Sequence, residues 1–371
     1  MLRSVRIALL SLTASTCLTG AASAGVSNQH AKRIEVAFVL DTTGSMAGLI
    51  DGAKRKIWSI ANSIVDINPD ADIRMALIGY RDVGDEYVVK SYDMSPDIQG
   101  LYGHLTRFQA DGGGDTPESV NEALDAAVRD LGWSARDDVR RIIFLVGDAP
   151  PHMDYANGPK YKRTIARARD AGIIVNTVQA GSDPETQMYW QKMAPLGEGR
   201  YFAIPQDGGQ IEAVSSPFDE RIIKLQGEID GTIILYGTVE KQEETRGKMD
   251  LKTAAPASVQ VDNSKYYSKR TFAKEIVTGG GDLLDDVRNN VRSIDEIAAE
   301  ELSAELKGKS KEELAAHVAD RTAARQKLQA ETADLNRQRD DYVASELAKK
   351  PADMTHDSFD QRVIESLSAQ F

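Results

Sequence analysis

Three short stretches hold residues whose types and spacing suit chemistry. In Asp41-Thr42-Thr43-Gly44-Ser45-Met46, a carboxylate and the hydroxyls of Thr43 and Ser45 fall at alternate positions of one turn. Gly112-Gly113-Gly114-Asp115-Thr116-Pro117-Glu118 adds the hydroxyl of Thr116, and Asp148 adds a carboxylate directly after Leu145-Val146-Gly147. Every donor in this set is oxygen. Without thiolate or imidazole it suits a hard cation, Mg²⁺ first, with Mn²⁺ and Ca²⁺ as alternatives. A metal-bound water can act as a nucleophile, which makes a metal-dependent hydrolase the competing class. No histidine cluster, second carboxylate set or Gly-x-Ser-x-Gly elbow accompanies the donors, so binding rather than catalysis is expected.

The elements that must position these residues read as α/β. Ile34–Leu40, Met75–Ile78, Ile142–Val146 and Ile173–Val178 are nearly continuous apolar runs, as in strands covered on both faces. Tyr201–Ile204 is a weaker final strand, and Val88-Val89 belongs to a short edge strand. Ile50, Ala53, Ile57, Ile60 and Ile64 step by three and four, as do Val120, Leu124, Ala127, Val128 and Leu131, which gives helices with one apolar face. Pro117 is placed in the first turn of the second of these, and Gly132 at its end. The fold expected is a doubly wound, mostly parallel sheet flanked by helices, followed by a C-terminal α-helical segment. All three donor stretches then sit at carboxyl ends of strands, where an open α/β sheet forms its ligand crevice.

At this point the sequence resembles the von Willebrand factor A family, whose metal-ion-dependent adhesion site reads D-x-S-x-S, then T, then D. Asp41, Thr43 and Ser45 match the first motif, Thr116 the second and Asp148 the third, over roughly residues 32–226. Thr43 stands where serine is commoner; it keeps the hydroxyl and adds a methyl. The Gly-Gly-Gly-Asp-Thr-Pro-Glu loop and the Thr-Gly-Ser-Met ending are most similar to hemicentin-like members. The resemblance implies hydroxyls that ligate the cation directly, carboxylates that act largely through water, and a partner's Asp or Glu completing the octahedron.

The chain has 371 residues and a net charge of −12, a balance that disfavours nucleic acid and anionic lipid as partners. Residues 1–24 have the form of a secretory signal: Arg3 and Arg6, an apolar run from Ile7 to Leu12, and Ala22-Ser23-Ala24 before the expected cleavage. An uncleaved anchor is the alternative, although the run is shorter than the roughly 20 apolar residues a bilayer needs. Cys17, the only cysteine, lies within that signal, so the mature chain has no disulfide; lipidation of Cys17 is a competing reading. A secreted or periplasmic protein without a membrane span is expected.

Beyond the A-like region, 227–281 reads as a linker with a strand-like Thr232–Tyr236, and 282–371 as helical. Ser310 and Glu313 form a capping box opening a helix to about Lys350. Leu314, Leu328, Leu335 and Tyr342 follow a heptad that Arg321 interrupts. Two readings stay open: a weak coiled-coil seam, or a hairpin in which Phe359, Val363, Ile364 and Leu367 pack back on the long helix. Oligomeric state is not legible from this stretch.

Other signals are bland. Arg81 and Asp82 form a local salt bridge or turn at the rim, and Pro150-Pro151 set a rigid exit turn before His152, which if protonated would steer an acidic ligand. Gly308-Lys309-Ser310 lacks the glycine of a phosphate-binding loop, Ser303 standing in its place, and Gly279-Gly280-Gly281 is a hinge.

Overall fold

The computed structural model describes residues 33–114, 116–208, 214–270, 275–277, 279–349 and 359–370. The expected signal, its expected cleavage site and Cys17 lie outside the described residues. No described helix is long and apolar enough to cross a membrane.

Six strands form one sheet: β1 (Arg33–Asp41), β2 (Asp72–Tyr80), β3 (Val89–Ser95), β4 (Val139–Gly147), β5 (Ile173–Ala180) and β6 (Glu198–Ile204), in the order β3-β2-β1-β4-β5-β6. Only β3, at the edge, runs antiparallel. The apolar runs become strands because both faces are covered. On one face lie α1 (Ala47–Ile67) and α2 (Ile98–Thr106); on the other lie α3 (Val120–Arg129), α4 (Tyr161–Asp170) and α5 (Pro184–Leu196). Ile50, Ala53, Ile57, Ile60 and Ile64 of α1 are all buried, as their spacing requires. Pro117 and Gly132 fall outside α3, which starts at Val120 after Ser119 and ends at Arg129. The reason is that Glu118 is committed to the neighbouring loop, where its amide donates to the Pro150 carbonyl at 2.9 Å, so helical turns begin only beyond it.

The chain beyond β6 is helical as expected from 282 onward, and its helices begin earlier than expected. It folds as α6 (Asp219–Asp230), α7 (Val239–Ala254), α8 (Ala257–Lys269), α9 (Leu283–Arg288), α10 (Lys311–Leu347) and α11 (Phe359–Gln370). The stretch 227–281 is therefore not a linker. Its side chains buried on α7 are Thr245, Lys248 and Lys252, so the helical spacing is there but carries no apolar signal. Leu235 and Tyr236 make isolated bridges to Asp282 and Leu302 instead of a strand, and Ile234 and Tyr236 join a small cluster with Leu283, Leu302, Leu306, Leu314 and Val318.

The capping box at α10 forms: the Glu313 amide donates to Ser310 Oγ at 3.2 Å and the Ser310 amide to Glu313 Oε2 at 2.8 Å. The buried residues of α10 are Leu314, Val318, Arg325, Thr332, Asn336 and Arg339, mostly polar and, Leu314 apart, off the leucine heptad. The helix packs against α6, α8 and α9 of the same chain. The hairpin reading fails too, because α11 packs on α1 and β6, with Val363 and Leu367 inside the main core. Val259 and Tyr266 of α8 join the same core, Tyr266 edge-on to Trp58 at 5.4 Å. The tail thus completes the outer cover of α1.

Candidate functional site

Register assembles the site. Asp41, last residue of β1, lies beside Tyr80 of β2, and Leu40 lies beside Val146 of β4. The loops after β1 and β4 therefore leave the sheet side by side, with Asp41 at the start of one and Asp148 in the other. This is where the chain switches direction across the sheet, the usual place for a ligand crevice.

Within the first loop, the Thr43 amide and hydroxyl both donate to Asp41 Oδ1, at 2.9 and 2.7 Å. Thr43 Oγ1 and Ser45 Oγ stand 3.3 Å apart. Gln206 Nε2 donates to Asp148 Oδ2 at 2.6 Å and to the Ser45 carbonyl at 3.2 Å, joining the third loop to the first. The second loop docks through the Gly44 amide, which donates to the Gly112 carbonyl at 3.2 Å. Gly113 has a φ of 78°, and a Cβ there would stand 2.9 Å from both Thr43 Cβ and Glu118 Oε1. Only glycine allows that approach. Thr116 lies exposed on this loop, and it is the one of the five expected residues that these bonds do not tie in.

Electrostatically the site is under-compensated. Asp41 is fully buried and its Oδ2 has no hydrogen-bond partner among the described residues. Burial first, and the Asp148 charge second, push its carboxyl up to about 7. Glu118 is 3% exposed, its Oε2 likewise without a hydrogen-bond partner among the described residues. Burial pushes it to about 9, helped by Asp41, Asp82, Asp85 and Asp148. Burial also raises the Tyr80 phenol, with Asp41 next in importance. Buried carboxylates facing one another at this density are costly unless a positive charge joins them. Carboxylates and aligned hydroxyls fit a hard divalent cation, so the residues present suit the group. Among the described residues no three Asp, Glu, His or Cys side chains converge on their own, which leaves the hydroxyls indispensable to such a set.

Residues 35–191 match the family model of the von Willebrand factor A domain. The chain carries a von Willebrand factor A domain. Over 123 residues it is 29% identical to an ariadne-like RING finger protein, R811, of Acanthamoeba polyphaga mimivirus; the match takes in 32% of this chain and 11% of that protein. The chain thus spans about a tenth of that relative's length. Among solved structures it is similar to proximal thread matrix protein 1 of the mussel byssus with a zinc-occupied MIDAS motif (15% identity, TM-score 0.36, 48% of this chain and 43% of that one). It is also similar to the VWA domain of SpRpn10 (13% identity, TM-score 0.36, 47% of this chain and 88% of that one).

The rim residues of the A domain have structural work. Arg81 is buried, its Nε donating to the Thr42 carbonyl at 3.2 Å and Nη2 to the Gln109 carbonyl at 2.9 Å, so it pins the first and second loops. Asp82 accepts from Ser119 Oγ at 2.8 Å and from the Tyr155 hydroxyl at 3.0 Å. His152 is 5% exposed and stacks on Tyr155 at 4.0 Å, with Nδ1 2.8 Å from Asp154 Oδ1 and Nε2 3.5 Å from Asp82 Oδ2. It is packed between Asp82 and Tyr155 rather than standing free as an exposed steering group.

Tyr80, Glu118 and Gln206 escaped sequence reasoning as site residues. Tyr80 needed the register of β1 against β2. Glu118 stood in the quoted loop without a sign that it would be buried. Gln206 comes 58 residues after Asp148, on a turn whose local sequence carries no signal.

Proposed function

We propose that this protein is an exported binding module, not an enzyme, that holds a divalent cation at Asp41, Thr43, Ser45, Thr116 and Asp148 and captures an Asp or Glu of a protein partner through it. Thr43 and Ser45 supply hydroxyl oxygens, Asp41 and Asp148 supply charge, and Mg²⁺ is the expected ion, with Mn²⁺ or Ca²⁺ as substitutes. A bound cation supplies an electrophilic centre able to accept a further carboxylate oxygen. The chain's own part is to hold the donors in place: Asp41 Oδ1 fixes the Thr43 hydroxyl, and Gln206 fixes Asp148. The observation that carries the reading is the fully buried Asp41 carboxylate, whose Oδ2 stands near a second carboxylate with no hydrogen-bond partner among the described residues.

Calorimetric titration of Mg²⁺ and Mn²⁺ into the parent and into an Asp41→Ala, Ser45→Ala double variant tests the site. Binding by the parent alone supports it; equal heats from both would remove its basis. A hydrolase screen in which turnover appears and disappears with Asp41→Ala would move the protein into the enzyme class. Export is tested by the mass of the N-terminus of the processed protein, expected to begin at Gly25. The rival reading, in which the C-terminal helices carry the interaction, has less support because α10 and α11 use their inner faces within the chain.

A further inference from the structure

The helices beyond β6 leave a cleft that the metal site does not use. It lies between α6, α8 and α10, measures about 260 Å³ and is open to solvent on one side. Ordinary ligand pockets begin at about 300 Å³, so this one has room for a small molecule. Lys269, next to Arg270 on the cleft wall, pairs at 2.6 Å with Asp66 near the end of α1. The metal loop meets the opposite end of that 21-residue helix, roughly 30 Å away at about 1.5 Å per residue. The cleft is a separate place on the molecule.

Its lining is mixed. Ile229, Ile276 and Tyr267 supply apolar surface, while Gln226, Ser264 and Thr332 supply polar groups although none of these three is more than 4% exposed. The polar groups are braced from behind. Gln226 Nε2 donates to Asp230 Oδ1 at 3.0 Å, the Thr332 hydroxyl to the Leu328 carbonyl at 2.8 Å, and Asn336 Nδ2 to Ser264 Oγ at 3.5 Å and Ser268 Oγ at 3.1 Å. Among the described residues this leaves the Gln226 carbonyl oxygen and the Ser264 hydroxyl proton uncommitted.

One cation completes the wall. The Arg270 guanidinium carbon lies 5.2 Å from the centre of the Tyr266 ring, and Arg270 makes no ion pair among the described residues. Burial raises the Glu275 carboxyl before the charge of Arg270 lowers it, and the two are not within ion-pair distance. The other charges around the cleft are matched inside the chain: Asp230 with Lys252 at 2.7 Å, Lys265 with Asp340 at 2.6 Å and Glu331 with Arg221 at 2.6 Å. A guanidinium presents a planar fork of donors that suits a carboxylate.

We infer that this cleft is a second binding site and takes a small organic monocarboxylate. The carboxylate meets Arg270, the apolar body lies against Ile229, Ile276 and Tyr267, and a hydroxyl or carbonyl on that body is served by Ser264 and Gln226. Such a ligand touches α6, α8 and α10 together, so its binding raises the Tm of the chain.

The test uses the purified protein with isobutyrate, benzoate and 4-hydroxybenzoate, each beside its own amide, read by saturation-transfer NMR and by thermal shift. At least one carboxylate is expected to bind about tenfold or more tighter than its amide, the scale of one charge-assisted hydrogen bond. Arg270→Gln should bring that carboxylate down to the level of the amide. Two changes at the half-buried Gln329 of the lining keep the test independent of that variant's folding: Gln329→Lys should tighten the carboxylate and Gln329→Glu weaken it, with the amide unmoved. Ala330→Trp, which fills the cleft from its exposed edge on α10, should remove binding of both. The proposal is overturned if no carboxylate binds more tightly than its amide, if the charge at 329 leaves carboxylate binding unchanged, or if binding survives in a folded Ala330→Trp.

Discussion

The two ends of the molecule handle buried charge in opposite ways. At the carboxyl end of the sheet, burial pushes the Asp41 carboxyl up to about 7, and what stands beside it is another carboxylate, Asp148. Under α10, burial pushes Asp282 up to about 6, but what stands opposite is Arg325, whose Nη1 lies 2.6 Å from Asp282 Oδ2 and 3.0 Å from Asp285 Oδ1. Arg325 Nε also donates to Thr232 Oγ1 at 2.7 Å. Lys252 with Asp230 and Arg339 with Asp219 repeat the arrangement. A buried charge with its counter-charge built into the chain is part of the fold. A buried charge without one is an opening for a ligand.

The largest expected effect comes from breaking the compensated end. Arg325→Met leaves Asp282 and Asp285 buried without their guanidinium, and should lower stability by about 3–5 kcal/mol, read as a drop in the denaturant midpoint. Mg²⁺ titration of the variant, at a temperature where it is folded, should match the parent. A loss below about 1 kcal/mol would mean that the pair is not buried in solution as the geometry has it.

A second break separates the tail from the sheet. Leu367 is fully buried in the core that α11 shares with α1, and Ser366 Oγ donates to Asn176 Oδ1 of β5 at 3.0 Å. Leu367→Ala should cost about 2–5 kcal/mol in a single unfolding transition. If instead α11 came free and the rest unfolded at the parental midpoint, the tail would be an accessory and not part of the A-domain core.

Legibility in the sequence followed the same divide. The sheet, α1 and the order of the donors were readable because parallel strands and one-faced helices leave apolar periods, and because Asp41, Thr43 and Ser45 are local to one turn. Leu314 and the capping box of α10 were readable for the same reason. Thr245, Lys248 and Lys252 on α7, and Arg325, Thr332 and Arg339 on α10, were not. Lys248, Lys252, Arg325 and Arg339 bury charges paired with Asp97, Asp230, Asp282 and Asp219 far along the chain, and Thr245 and Thr332 turn their hydroxyls back on their own helix, so spacing alone carries no hint of an inward face. Gln206 and Tyr80 were hidden by distance and register rather than by chemistry.

At the uncompensated end the counter-charge is expected from outside. Mg²⁺ at about a hundred times its Kd should stabilise the parent by about 2.7 kcal/mol, seen as a rise in Tm. Asp41→Asn should abolish that rise. Without metal the variant should be at least as stable as the parent at pH 8, because it removes a buried carboxylate that has nothing to pair with. A metal-free variant clearly weaker than the parent would show that Asp41 is compensated within the fold.

The smallest effect sharpens the comparison at one methyl group. Thr43 holds its place through the hydroxyl, which donates to Asp41 Oδ1 at 2.7 Å and lies 3.3 Å from Ser45 Oγ. Thr43→Ser keeps that oxygen and removes only the methyl packed against Gly113, so stability should change by about 0.5–1.5 kcal/mol. Its Mg²⁺ affinity, by calorimetry, should stay within about tenfold of the parent, a difference of less than 1.4 kcal/mol. Thr43→Val keeps the shape and removes the oxygen, and should lose Mg²⁺ binding while staying folded. If Val binds the ion as well as Ser does, the oxygen at this position is not a ligand, and the donors would have to come from Ser45, Thr116 and the two carboxylates.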